Sequence, residues 1–224
     1  MEKVFDFLLK LRENNNREWF EQNKDEYEVA LEEMIGLAEA TLQKMRSHDE
    51  IETPSAKKVL KRIYRDTRFS KDKTPYKNHW SGSFKRASAH KRGGYYFHLE
   101  PGNSFVAGGF WGPEKEDLKR IREHLSQDAT QYLEVIQNKN FKNNFGEVIG
   151  EQLKKAPKDF DPEDPNIELL RYKQFILKKT LSDKEVFSKK LPDILSNSFQ
   201  EMRPYFDVMS EYLTTDLNGL DILE

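Results

Sequence analysis

Between Phe20 and Met45 apolar residues return at steps of three, four and seven: Phe20, Tyr27, Leu31, Met34, Ala38, Leu42 and Met45. This is the strongest periodicity in the chain, and it predicts an amphipathic helix over about 16–46. At 1.5 Å per residue such a rod runs roughly 45 Å, about the width of a domain, so it either spans the fold or bends, with Gly36 the candidate bend. Asn15, three residues before Glu18, reads as an asparagine form of the capping box and predicts the helix start. A shorter helix is expected over 2–13, where Val4, Phe5, Leu8, Leu9 and Leu11 form an apolar face. Residues 47–57 read as a loop with Pro54, and Val59–Tyr64 favours a short strand.

Three strand signals follow: 80–86, 94–100 and 104–111, the last two joined by the turn residues Pro101-Gly102-Asn103. In the second, Tyr95, Phe97 and Leu99 share one face, and Tyr96, His98 and Glu100 the other. Gly108-Gly109 predicts a bulge or a close backbone approach. Helices are expected from Pro113 to about Asp128 and over 128–138. The segment from Phe141 to Leu153 reads either way. A helix capped by Asp164 should end near Arg171, a strand should cover 175–181, and Ser182-Asp183 should open the C-terminal helices, the longest over about 192–213. Helices flanking a group of strands predict an α+β fold with a central, mainly antiparallel sheet. The 224 residues hold no repeat or long linker, so a single domain over 1–224 is expected.

The chain has no cysteine, which excludes disulfides, thiolate metal sites and thiol nucleophiles. No window is apolar enough to cross a bilayer, and the N-terminus is interrupted by Asp6 and Lys10, unlike a signal peptide. No membrane partner and a cytoplasmic location are therefore expected. Net charge is −2, but its distribution is uneven. Between Lys57 and Arg92 lie thirteen Lys or Arg against Asp66 and Asp72, a surplus of +11 that leaves −13 on the remainder. Such a block either faces an anion or is neutralised by acids elsewhere in the fold.

The densest part is irregular, because Pro75 lacks an amide donor and holds Thr74 extended. Arg65, Arg68, Lys71, Lys73 and Lys77 fall within thirteen residues, interleaved with Ser70, Thr74, Phe69, Tyr76 and Trp80. Guanidinium groups grip phosphate or carboxylate in pairs of hydrogen bonds, lysines add point charge, and a ring such as Tyr76 can stack on a ligand. In the bland alternative Asp66 and Asp72 pair with Arg65 or Arg68, and the acids Glu18, Glu21, Asp25, Glu26, Glu28, Glu32 and Glu33 neutralise the rest. His98 and Glu100 share a strand face and could transfer a proton or, with Asp66 or Asp72, form a hydrolytic centre; solvent-facing polar residues explain the same spacing. Two such groups do not make a metal site, and no further spacing completes one. His79 and His90 read as anion donors or surface residues. Ser70 and Thr74 lack a recognisable base, the paired glycines lack the Gly-Lys-Ser/Thr ending of a phosphate loop, and Trp19-Phe20 and Phe110-Trp111 read as core.

The run Arg62-Ile-Tyr-Arg-Asp-Thr-Arg-Phe-Ser-Lys-Asp-Lys-Thr-Pro-Tyr-Lys77 resembles the bacterial and fungal family catalogued as domain of unknown function 2461. So do Asn15-Asn-Arg-Glu-Trp-Phe20, Gly94-Tyr-Tyr-Phe-His-Leu-Glu-Pro-Gly102, Gly108-Gly-Phe-Trp-Gly-Pro113, Lys154-Lys-Ala-Pro157 and Leu170-Arg-Tyr-Lys173. The resemblance covers nearly the whole chain and implies one full-length domain. It brings no activity, cofactor or catalytic residue with it. Lys158-Asp159 departs from the Lys-Gly that such sequences often carry, which puts the loop geometry there in question.

The functional expectation is an anion-binding domain for a phosphate- or carboxylate-bearing ligand. Arg65, Arg68, Lys71, Lys73, Tyr76 and Lys77 are the binding candidates, and His98, Glu100 and Asp66 the catalytic candidates if it hydrolyses or transfers a phosphate ester. The alternative is a non-catalytic module pairing the basic segment with an acidic protein surface. Nucleic acid comes third, because the −13 remainder repels a long polyanion. Nothing in the residues names a cofactor or an oligomeric state.

Overall fold

A computed structural model describes residues 1–223. Helix α1 (Glu2–Glu13) buries Val4, Phe5, Phe7, Leu8 and Leu11, while Leu9, expected on that face, is exposed. The expected long helix is two: α2 (Arg17–Gln22) and α3 (Lys24–Met45). The break falls at Asn23, whose backbone leaves helical geometry (φ −114°, ψ 25°) while its amide at 3.0 Å and its side chain at 2.8 Å both donate to the Trp19 carbonyl. Apolar spacing does not register this, because Phe20 and Tyr27 stay in contact across the break, ring centroids 5.0 Å apart. Gly36 lies inside unbroken α3. The N-cap is Asn16, whose oxygen accepts from the Trp19 amide at 2.9 Å. Asn15, the expected cap, is thereby released for the role described below.

A single turn, α4 (Ala56–Val59), stands where loop and strand were expected. The strand expected around Val59–Tyr64 is instead extended chain, tied by isolated bridges Leu60 to Gly82 and Tyr64 to Tyr76. The sheet contains β1 (Trp80–Lys85), β2 (Gly94–Leu99), β3 (Phe105–Phe110) and β4 (Phe175–Thr180), antiparallel in the order β1-β2-β3-β4. The expected alternation in β2 holds: Tyr95, Phe97 and Leu99 are buried to within 1%. Gly109 has φ +130°, and a Cβ there would overlap the Phe175 carbonyl oxygen, so strand contact at this point requires glycine.

The helices after β3 are α5 (Lys115–Gln127), α6 (Thr130–Gln137), α7 (Lys139–Phe145), α8 (Ile167–Leu170), α9 (Asp183–Val186) and α10 (Leu191–Thr214). The undecided stretch after Phe141 becomes α7 followed by bridges Ile149 to Ile176 and Gln152 to Tyr172. Asp164 does not cap α8 directly; its carboxylate accepts from the amide of Asn166, which is the N-cap. Ser182 opens α9 with a complete capping box to Glu185. The fold is α+β.

The described residues group into two compact units. The first comprises Met1–Phe84, Tyr96–Val106 and Thr180–Asn197; the second comprises Lys85–Tyr95, Ala107–Lys179 and Ser198–Glu224. In the first, α1 packs on α3 and α3 on α4, around Phe7, Leu11, Met34, Leu42, Trp80 and Phe97. In the second, Tyr95, Phe175, Phe199, Met202, Tyr205 and Phe206 are buried, with α5 against α8 and α6 against α7. Of the four aromatics expected in the core, Phe20 is buried, Trp19 and Phe110 are half-buried, and Trp111 is 74% exposed. Trp111 follows the last residue of β3 and therefore escapes the sheet's covered face.

Candidate functional site

The basic segment is a finger closed at its base by backbone pairing. The Arg65 amide donates to the Pro75 carbonyl at 2.9 Å and the Lys77 amide to Ile63 at 2.8 Å, flanking the bridge between Tyr64 and Tyr76. Residues 66–74 are thereby thrown outward as an irregular loop. Asn15 clips this base. Its amide donates to the Tyr76 carbonyl at 2.9 Å and to Asn78 Oδ1 at 3.0 Å, and its oxygen accepts from the Tyr76 amide at 3.1 Å. The side-chain amide thus takes the place of one residue of a neighbouring strand. The Tyr76 ring is buried and stacks on Phe20 with centroids 4.0 Å apart, so it anchors the finger. At the tip, Phe69 is 96% exposed with the Arg68 guanidinium over its ring.

Both carboxylates of the finger are committed to it. Asp72 accepts from Arg65 and from the Thr74 amide (2.9 Å) and hydroxyl (2.8 Å). The hydrogen bond from Arg65, reinforced by those from Thr74, holds its carboxyl at about 2. Asp66, a catalytic candidate, faces Arg68 in a fork, 2.6 Å to Nη2 and 3.0 Å to Nε, which lowers its pKa. Lys73 Nζ donates to the Thr67 carbonyl at 2.8 Å and Lys77 Nζ to the Arg62 carbonyl at 2.6 Å. Lys71 is exposed. Among the described residues no carboxylate lies within ion-pair distance of Lys61, Arg62, Lys71, Lys73 or Lys77. The neutralisation expected from Glu18, Glu21, Asp25, Glu26, Glu28, Glu32 and Glu33 is not made through ion pairs with these cations among the described residues: Glu26 pairs with Lys10 and Glu33 with the Met1 amine.

His79 lies beyond the foot of the finger, and through it the finger meets the second cluster. Its ring stacks on His98 with centroids 4.0 Å apart, and His98 in turn stacks on Phe105 at 4.6 Å. His98 is 8% exposed. Its Nε2 is 3.0 Å from Glu100 Oε2 and its Nδ1 is 3.2 Å from the Tyr96 hydroxyl. A carboxylate partner assigns a proton to Nε2, so in the neutral ring Nδ1 accepts from Tyr96. Glu100 also accepts from Asn103 at 2.8 Å. Partial burial pushes its carboxyl up, but the hydrogen bonds from His98 and Asn103 outweigh this and leave it lowered. Burial, followed by the charge of His98 and with smaller contributions from Lys77 and Arg65, lowers His79 to about 4; Glu100 opposes the shift. Lys77 is lowered by burial and by the like charge of Lys61. Burial and like charge nearby thus disfavour the charged forms of Lys77 and His79 at the foot of the finger.

The structure thus brings His98 and Glu100 together and places His79 between that pair and the cations Arg65 and Lys77. It leaves Asp66 at the finger's outer part in its own ion pair. No group of three or more His, Asp or Glu side chains suited to a metal ion occurs among the described residues. With both nitrogens engaged, His98 belongs to a hydrogen-bonded chain from Tyr96 to Glu100. His79, read from the sequence as an anion donor or surface residue, is half-buried against His98, and Asn15, read as a helix cap, instead clips the finger.

A family model described as a conserved hypothetical protein (DUF2461) matches residues 3–207. No curated protein and no solved structure matches the chain. The matched span takes in the finger, its Asn15 clip and the His79–His98–Glu100 cluster, and the chain belongs to the DUF2461 family.

Proposed function

We propose that this protein binds a small phosphate- or carboxylate-bearing ligand on the finger formed by residues 61–77. The observation that carries this reading is the set of five cations, Lys61, Arg62, Lys71, Lys73 and Lys77, that have no carboxylate within ion-pair distance among the described residues, beside two arginines already oriented by Asp72 and Asp66. An anion relieves the mutual repulsion among these groups, and fixed guanidinium N–H groups add directed donors. Should the ligand be a phosphate ester undergoing hydrolysis or transfer, the cations would hold charge developing on phosphorus-bound oxygens. Glu100 or His98 would then handle the proton, with Tyr96 completing the chain. The same reading treats both compact units as one folding domain, because β2, β3 and α10 each cross the division between them.

Isothermal titration of inorganic phosphate, pyrophosphate, ATP and citrate into the wild type and into Lys71→Gln/Lys73→Gln tests the proposal. Binding should weaken at least about tenfold in the variant and fall as salt rises. Equal affinity in both proteins would remove the finger from consideration.

One observation favours a second reading, the non-catalytic interaction module: Phe69 is almost wholly exposed among cations, a form suited to an acidic protein surface with an apolar notch. Assembly that dissolves with salt and with Phe69→Ser, without any small-ligand binding, would select it.

A further inference from the structure

A second cleft lies in the other unit, unrelated to the finger. It has a volume of about 500 Å³ and is walled by Arg92, Gly93, Phe110, Trp111, Glu114 and Asp117. Its most unusual wall is Trp111, the largest side-chain type, left 74% exposed where the chain leaves β3. Space around it is open: a Cβ on the adjacent Gly112 would have no heavy atom within 4 Å. The same cleft is also lined by a charge pair. Arg92 is held by its own backbone, its amide donating to Ser210 Oγ at 2.9 Å and its carbonyl accepting from Arg86 Nη1 at 3.1 Å. Its guanidinium pairs with Asp117 in the first turn of α5, both side chains being partly buried at the cleft wall. Gly93, at φ +85° and packed against Phe110 and Phe206, turns the chain from this arginine into β2.

The chemistry of the walls selects the ligand. Asp117 pairs with Arg92 and lies 3.9 Å from Arg120, and Glu114 balances the second cation, so these groups leave no net positive charge to draw the anions proposed for the finger. A cation drawn to Trp111 and Glu114 would meet Arg92. What remains is a neutral ligand with one apolar face for a single ring and a rim of hydroxyls that both donate and accept. A flat heterocycle prefers cover on both faces, and only one aromatic ring is exposed here. We propose that this cleft binds a carbohydrate, a pyranose laying its C–H face on Trp111 and directing vicinal hydroxyls to the Arg92–Asp117 pair and to Glu114.

The three tryptophans make the test direct. Trp80 is 2% exposed and Trp19 half-buried, so their indole N–H resonances serve as internal references, and Trp111→Phe assigns the third. The full chain is titrated with glucose, galactose, N-acetylglucosamine, maltose, cellobiose and chitobiose to tens of millimolar, with adenosine and inorganic phosphate alongside. At least one sugar should move the Trp111 signal saturably and leave Trp80 unmoved. Trp111→Ala should cut that affinity about tenfold or more with an unchanged unfolding midpoint, while Trp111→Phe retains most of it. Failure of every sugar to move Trp111, a response to adenosine or phosphate in place of sugar, or full affinity in Trp111→Ala overturns the assignment. Since none of these readouts involves the finger, the outcome is independent of the anion-binding reading.

Discussion

His79 should make the protein lose stability in mild acid, in a window its own pKa defines. Burial and the cations around it lower the imidazole from 6.5 to about 4 in the folded protein. Between those values the unfolded chain takes up a proton that the folded protein refuses. Stability is therefore fully present above 6.5, falls as pH drops through that value, and stops falling near 4. At 1.36 kcal/mol per unit the full interval corresponds to about 3.4 kcal/mol. The ring is only part-buried, and solvent screening reduces the expected loss to about 1–2 kcal/mol. Urea unfolding of the wild type and His79→Gln at pH 7, 5.5 and 4.5 isolates the effect. Loss of the stack on His98 lowers the variant by the same amount at every pH, whereas the titration appears only in the wild type. The wild type should lose about 1–2 kcal/mol more than His79→Gln between pH 7 and 4.5. Parallel pH profiles for the two proteins would refute the reasoning. An anion seated on the finger adds a further consequence, because it favours the protonated ring: saturating phosphate should raise the pKa of His79 seen by NMR.

Asn15→Ala removes the clip on the finger; it should cost about 1–3 kcal/mol in urea and speed hydrogen exchange at the Tyr76 amide. An unchanged exchange rate there would show that the clip carries no weight. Gly109→Ala forces a Cβ into the Phe175 carbonyl at a φ that side chains rarely adopt, and should lower stability by about 3 kcal/mol or more in thermal or urea unfolding. Asp159 stands at φ +73°, in the left-handed region that favours glycine. Asp159→Gly should accordingly raise stability by about 0.5 kcal/mol, visible as a small increase in the unfolding midpoint.

The helices and strands were legible where one face is buried and the period is clean, as in α1, β2 and α10. The division of the long helix at Asn23 was not, since the backbone leaves helical geometry at that one residue without disturbing the apolar spacing on either side. Likewise Asn15 and Asn16 are adjacent candidates for one cap, and only the Tyr76 backbone, sixty-one residues away, decides which of them is free. The departure at Asp159 was legible as a question, and its positive φ answers why glycine suits that place. At the candidate site, charge counting found the finger, and strand phase found His98 with Glu100. Charge counting cannot say which acids reach which bases: Asp66 and Asp72 close locally on Arg68 and Arg65, and among the described residues no acid of α3 forms an ion pair with the other finger lysines. The exposure of Trp111 was invisible for a related reason. An aromatic pair at a strand end reads as core, and only the position where the sheet stops covering it shows otherwise.

The central claim is most directly tested by thermal unfolding against a panel of phosphate, pyrophosphate, ATP, sugar phosphates and citrate, in the wild type and in Lys71→Gln/Lys73→Gln/Lys77→Gln. A ligand at a hundred times its Kd stabilises the native state by about 2.7 kcal/mol, or about 5–10 °C for a chain of this size. The account predicts such a shift with at least one phosphate- or carboxylate-bearing compound, diminished by salt and lost in the triple variant. No shift across the panel, or a shift that persists in the triple variant, would contradict it.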